Sequence, residues 1–307
     1  MAKLTVLGSI NVDHLLQVTE FPRPGQTLEA DNYQTVPGGK GANQAVAAAR
    51  LGAQVSMVGC IGADPIGEQM KLGFAQDGMD TRAIDKVSGE ATGMAMIYVN
   101  AQGENNIGIW PGANGALSVE RVRSHQGMIE GADLLLIQLE TPLDSLVEAA
   151  RLAKAAGTKV VLNPAPAKAL PDTLLTNVDI ITPNETEVEQ LTGIAVENDE
   201  SAAAAAQCLH DKFGIEMVII TLGKRGVWLS HQGRQHRVPG FEVDVVDTTA
   251  AGDTFNGGFV TALLEGQSVD DALRFGQAAA ALSVTRLGAQ SSIPSREETQ
   301  ALIASQG

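Results

Sequence analysis

An open, mostly parallel α/β sheet with helices on both faces is the architecture this sequence predicts, and three observations predict it. Short apolar runs at 4–7, 55–60, 134–138, 160–162, 179–182 and 217–222 are nearly continuous in hydrophobicity, as strands buried on both faces read. Segments of helical period at 41–51, 65–76, 143–156, 185–191 and 201–213 lie between them, the rhythm of right-handed βαβ units. With 44% hydrophobic and 19% charged residues, the 307-residue chain can bury one sizeable core and is not of the disordered class.

Taken in order, the opening MAKLTVLGSI has one basic residue and a short apolar run, so it is expected to be a first strand rather than a secretory leader. Two segments, 14–36 and 92–110, interrupt the α/β rhythm with alternating runs such as Met94-Ala95-Met96-Ile97-Tyr98-Val99, followed by the hairpin-like turn Asn100-Ala101-Gln102-Gly103. Periodicity alone leaves them open as a separate small sheet or as edge strands of the main one. From Gly252 onward the pattern is consecutive helices, at 252–264, 270–285 and 296–305. No apolar stretch approaches the ~18 residues of a membrane span, so a soluble cytoplasmic protein is expected.

The formal charge of −15, from 36 acids against 21 bases, argues against nucleic acid or an anionic membrane as partner. Cys60 and Cys208 are too few for a disulfide framework and have no metal-ligand spacing. Glycine is in excess, 33 of 307, or about 11% against a usual ~7%.

Three segments carry chemistry. Gly8-Ser9-Ile10-Asn11-Val12-Asp13 follows the first strand, at the carboxyl edge where open sheets bind ligands. Asn11 and Asp13, two apart in an extended chain, point to one side and suit a polyol that needs both donors and acceptors; an Asx turn is the plainer alternative. Gly38-Gly39-Lys40-Gly41-Ala42-Asn43-Gln44 runs into a helix, where close backbone approach and bare N–H groups can meet a ligand. The loop is neither a Walker loop nor a GxGxxG dinucleotide fingerprint. The third, Asp247-Thr248-Thr249-Ala250-Ala251-Gly252-Asp253, precedes a helix with Phe255, Phe259 and Leu263 at i, i+4 and i+8. Small residues in its first turn leave N–H groups exposed as an anion hole for transferring phosphate oxygens, and Asp253 there can accept a proton from a hydroxyl. An Asp favoured by the helix dipole is the structural alternative, but it leaves Asp247 unexplained. Two weaker signals are the capping-box pattern Asn184-Glu185-Thr186-Glu187 and the turn Thr221-Leu222-Gly223-Lys224-Arg225-Gly226, which either cradles phosphates or joins two strands. A serine hydrolase is excluded by the missing GxSxG elbow.

Together these residues resemble the ribokinase family of carbohydrate and nucleoside kinases, over essentially the whole chain. The Gly38–Asn43 loop and the Asp247–Asp253 run stand in the family's order with Asn184-x-x-Glu187 between them; Ala250 replaces the first glycine of the usual Asp-Thr-x-Gly-Ala-Gly-Asp. The resemblance implies a single ribokinase-like domain over 1–307: a three-layer α/β/α core plus a small β-sheet lid from 14–36 and 92–110 that pairs two subunits as a homodimer. It implies transfer of the ATP γ-phosphoryl to the 5-hydroxyl of ribose, with Asp253 as base and the backbone of Ala250, Ala251, Gly252 and Asp253 as anion hole. Sugar contacts fall on Asn11, Val12, Asp13, Gly39, Lys40, Gly41, Ala42, Asn43, Glu140 and Asp253. ATP falls on Asn184, Glu187, Thr221, Leu222, Gly223, Lys224, Arg225, Gly226, Gly252, Asp253 and Gln277, with Glu187 organising Mg²⁺ through water. A K⁺ site falls on Asp247, Thr249, Ser283, Arg286, Gly288 and Ser292. Few aromatics oppose a nucleoside acceptor, fructose remains the nearest rival sugar, and a non-catalytic sugar binder on the same fold is the rival of another class.

Overall fold

The computed structural model describes residues 2–306. Its main sheet is built from β1 (Lys3–Leu7), β4 (Gln54–Gly62), β5 (Ile84–Val87), β8 (Leu134–Ile137), β9 (Lys159–Leu162), β10 (Ile180–Ile181), β11 (Met217–Thr221), β12 (Val227–His231) and β13 (Arg234–Val238). The strand order is β13-β12-β11-β10-β9-β8-β1-β4-β5, parallel throughout except for the antiparallel β11–β12 and β12–β13 pairs at one edge. The continuous apolar runs are explained by burial on both faces. Leu4 and Val6 of β1, Leu134 and Leu136 of β8, and Met217 and Ile219 of β11 enter one core layer. Their alternates Leu7, Leu135, Ile137, Val218 and Ile220 enter the other.

The first layer is covered by α1 (Lys40–Arg50), α9 (Ala251–Leu264) and α10 (Val269–Ser283), with α2 (Pro65–Gln76) and α11 (Arg296–Ser305) beside them. Helices α1 and α9 approach so closely that a Cβ on Gly257 would lie 2.5 Å from that of Ala47. The second layer carries α3 (Val119–Ser124), α4 (Gln126–Glu130), α5 (Leu143–Ala156), α6 (Asp172–Leu175), α7 (Glu185–Thr192) and α8 (Asp199–Phe213).

A second sheet stands apart, in the order β3-β2-β6-β7, from β2 (Asn11–Gln17), β3 (Asn32–Gly38), β6 (Gly93–Val99) and β7 (Asn105–Trp110). The alternating segments therefore form their own sheet, but it starts earlier than 14 and runs past 36. Asn11 and Asp13 belong to its first strand, not to a turn ahead of it. The β12–β13 hairpin has no counterpart among the strands expected from sequence. Its two-residue turn is Gln232-Gly233, both at positive φ, and lacks the Asn-Gly or Asp-Gly pair that marks such turns. Among the described residues no helix is long and apolar enough to cross a membrane.

Candidate active site

The carboxyl ends of β1 and β8, the first strand of the small sheet and the N-termini of α1, α7 and α9 meet at one place. Gly39, at φ +89, carries the chain into α1 with its Cα so near β2 that a Cβ would lie 2.7 Å from the Asn11 N and 2.9 Å from the Ser9 carbonyl oxygen. Only glycine allows that approach. The N-terminus of α1 is not bare, contrary to expectation. The N–H of Lys40 donates to Glu140 Oε2 at 3.0 Å, that of Gly41 to Ser9 Oγ at 3.3 Å and that of Ala42 to the Ser9 carbonyl at 2.9 Å. Ser9 Oγ in turn donates to Glu140 at 2.6 Å, so the helix end fixes Glu140 instead of binding a ligand directly. The side chains of Val12 and Ala42 are buried in the core, and Gly41 packs on the Gly8–Ser9 backbone; any ligand contact from these three is through the main chain.

Asn11 is held by Asn114, whose amide donates to Asn11 Oδ1 at 2.7 Å and to the Ile10 carbonyl at 3.1 Å while accepting from the Ile10 N–H. No sequence signal marks Asn114, which sits in a short 3₁₀ turn (Gly112–Ala116) a hundred residues away. Around this core stand Asp13, Glu140, Asp253 and Glu187, with Lys40 as the cation among them. Burial, and then the charges of Glu140 and Asp253, raise the Asp13 carboxyl to about 7. Burial opposes the charge on Lys40, but Asp253, Glu140, Glu187 and Asp13 outweigh it and hold the ammonium above its ordinary value. Asp253 is 6% exposed, and burial raises its carboxyl against the opposing pull of Lys40, Gln44 and Asn43.

Asp253 lies in the first turn of α9. The N-cap Ala250 is left-handed, at φ +58, which accounts for the glycine usual at that position. The N–H groups of Ala250, Gly252 and Asp253 find no protein acceptor among the described residues, whereas that of Ala251 donates to the Thr248 carbonyl at 3.2 Å. The expected hole of four donors is thus three with Ala251 turned inward. A Cβ on Gly252 would meet nothing within 4 Å, so the first turn opens on free space.

Asn184 and Glu187 do form a capping box on α7: Asn184 Oδ1 accepts from the Glu187 N–H and Glu187 Oε2 from the Asn184 N–H, each at 2.8 Å. Burial raises the Glu187 carboxyl, against that hydrogen bond and Lys40. One carboxylate oxygen remains, which fits a Mg²⁺ held mainly by phosphates and water. Thr221 bridges to Asn184, so the two segments expected to meet the nucleotide lie side by side. The turn 221–226 also joins β11 to β12, and Gly226 packs against Val238, so part of its glycine content is structural. Arg225 is turned to Glu185 and the Glu197 carbonyl, while Lys224 stays exposed. Gln277 is buried on α10 with neither amide atom paired.

Asp247 sits apart from the carboxylate cluster. It accepts from the N–H and hydroxyl of Thr249 at 2.9 and 2.6 Å and from the Gly288 N–H at 2.8 Å. Burial raises its carboxyl, yet these bonds outweigh it and leave it below the usual range. They draw the loops bearing Thr249 and Gly288 together; Ser283 and Ser292 are buried nearby in the chain, their hydroxyls returned to the Ala280 and Ala289 carbonyls. A single carboxylate is the charge at this place, as suits a monovalent rather than a divalent cation. Among the described residues no three His, Cys, Asp or Glu side chains cluster to hold a metal.

A parallel α/β sheet whose carboxyl edge sets buried carboxylates before an open helix N-terminus defines a small-molecule kinase. Residues 1–296 match the profile of the pfkB family carbohydrate kinases, and the chain belongs to that family. It is 60% identical over 296 residues, 96% of each chain, to a ribokinase of Haemophilus influenzae. It is 38% identical over 297 residues, again 96% of each, to a deoxyribokinase of Salmonella typhi. Its fold superposes with a TM-score of 0.94, at 35% identity and 99% coverage of both chains, on an Arabidopsis thaliana ribokinase complexed with ribose and ATP.

Proposed function

We propose that this protein transfers the γ-phosphoryl of ATP to the 5-hydroxyl of ribose, giving ribose 5-phosphate and ADP. The observation that carries the reading is that Asp13, Lys40 and Glu140 act electrostatically on Asp253 in the first turn of α9 and Asn43 bonds to it, with Asn11 two residues from Asp13 on the same strand. Carboxylates accept from sugar hydroxyls, and Asn11, Asn43 and Lys40 supply donors, so the set matches a small polyol. Asp253 takes the proton of the attacking hydroxyl, and the N–H groups of Ala250, Gly252 and Asp253 face the charge gathering on the phosphoryl oxygens. ATP lies along Asn184, Thr221–Gly226 and Gln277. Mg²⁺ would be organised from Glu187 and would offset phosphate charge. K⁺ would sit with Asp247 and the main-chain oxygens of Thr249, Ser283, Arg286 and Gly288, with Ser292 beside it, ordering the loop before α9.

The chain acts as one domain over 1–307, its small sheet closing over the sugar as a lid and pairing two copies, and it works in the cytoplasm. Coupled ADP release, measured over ribose, 2-deoxyribose, fructose and adenosine with and without K⁺, tests the reading. Ribose is expected to give the highest kcat/KM, and a clear preference for another acceptor overturns the assignment of the sugar.

A further inference from the structure

We propose that Gln44 is a positioning residue that presents a fixed N–H donor to Asp253 and so sets the direction of the carboxylate that attacks the sugar hydroxyl proton. The proposal rests on the reading of Asp253 as general base. Gln44 is fully buried on α1, one residue beyond the proposed sugar contacts, and all of its amide is engaged. Its Nε2 donates to Asp253 Oδ1 and to Asn163 Oδ1, each at 2.9 Å, and its Oε1 accepts from Gln138 Nε2 at 2.7 Å.

The polarity of this chain of amides is set at its far end. The Thr182 carbonyl can only accept, and Asn163 Nδ2 donates to it at 3.1 Å, which turns Asn163 Oδ1 toward Gln44 and demands a donor there. Gln138 Nε2 supplies the matching donor to Gln44 Oε1, its own Oε1 having no protein partner among the described residues. Gln44 therefore has no orientation open to it but the one that aims Nε2 at Asp253. Asn43 grips the second oxygen, donating to Asp253 Oδ2 at 3.0 Å, and its own oxygen is taken by Gln290 Nε2 at 3.1 Å. The base is thus held at both oxygens by amides, that of Gln44 with its direction predetermined, without a second ionisable group in hydrogen-bond contact. The charged groups facing it are Lys40 of α1, Asp13 of β2, Glu140 after β8 and Glu187 of α7, and none of them is altered by changes at Gln44.

The test is Gln44→Met, close in length and volume but without a donor. Expected are an unchanged ribose KM and a kcat lower by ~10–100-fold, since a misdirected reacting group costs about that much. Loss of a donor to the charged form raises the Asp253 carboxyl, so the acidic limb of the kcat profile moves to higher pH. Gln44→Glu keeps the length but sets a second carboxylate against the first, and is expected to be slower still. A pure packing role would be restored by Met, so kcat within about twofold of the parent and an unmoved limb sink the proposal; so does a loss confined to KM. Should Gln44→Met not fold, Asn163→Leu removes the acceptor that fixes the Gln44 amide while leaving Gln44 in place. A several-fold drop in kcat at constant ribose KM then supports the proposal, and an unchanged kcat overturns it. Asp253→Asn, assayed in parallel, reads the base by itself: turnover retained there removes the underlying reading, whereas Asp253→Asn inactive with Gln44→Met unaffected removes only Gln44.

Discussion

Asp253 and Asp13 bear more burial than carboxylates tolerate without compensation, and their partners differ. Asp253 has two amide donors and Lys40 near it, while Asp13 relies on Lys40 alone among the charges that favour its ionised form. Asp253→Ala removes the proton acceptor and is expected to lower kcat by ~10²–10⁴-fold while calorimetry still detects ribose binding. Asp13 makes a separate prediction about stability. Its folded carboxyl is raised from 3.8 to about 7, so between those values the folded protein holds a proton that the unfolded chain has lost. Folding stability therefore falls as pH rises through that window. Asp13→Asn is expected to raise the apparent Tm fully above pH 7, with a gain that vanishes toward pH 4, and to weaken ribose binding. A Tm gain that stays constant across this range would contradict the assignment. The site is less stable than it could be because unpaired carboxylates are what hydroxyls bind.

At the scale of elements, the N-termini of α1 and α9 do different work although both follow glycine- and alanine-rich loops. In α1 the first N–H groups are consumed by Glu140 and Ser9; in α9 three find no protein acceptor among the described residues. The difference lies in what the fold brings in front of each helix, since the local sequences predict the same bare end for both. The loop before α9 is drawn toward Gly288 by the Asp247 carboxylate, and Asp247 and Val246 both donate their N–H to the Val284 carbonyl. Asp247→Asn leaves the main-chain oxygens in place but removes the charge that a cation would meet. The expected outcome is a rate that no longer rises with added KCl, read against an organic-cation buffer; an undiminished KCl response would remove Asp247 from the cation site.

For the whole molecule, a charge of −15 is compatible with an anionic nucleotide because recognition is local. Net charge is screened beyond ~8–10 Å, whereas helix N–H groups and Lys40 act at contact distance. The small sheet raises the question of assembly. Register puts Leu15, Ile97 and Ile107 in one row, and Ile109 in the next with Ala95 and Asp13, so the face toward the site is apolar. Ile107 is 49% and Ile109 52% exposed in the single chain, more than an isolated sheet face is expected to leave to water. On the proposed pairing of two copies through this sheet, changing both to Ser is expected to shift the mass in light scattering from dimer toward monomer and to raise the ribose KM. A dimer that persists unaltered would place the interface elsewhere.

The main sheet, its helices and the candidate base were legible in the sequence because each rests on a local pattern. Apolar runs identify strands covered on both faces, periodicity identifies helices, and small residues before Asp253 identify an open helix end. Gly39 and Asp247 were legible for the same reason. Asn114, Asn163, Gln138 and Gln290 were not, since a buried amide is chosen by the direction of its partners' donors and acceptors, and those partners lie tens to hundreds of residues away. Nor could periodicity separate a second small sheet from edge strands of the main one: that depends on which strands pair, and Asn11 joins Gly38 and Gly93 rather than the main sheet. By itself the sequence determined the layers and the chemistry at the end of α9. Only the tertiary structure decided which carboxylates share that end and what turns each toward the sugar, because hydrogen-bond direction is a property of groups brought together by folding.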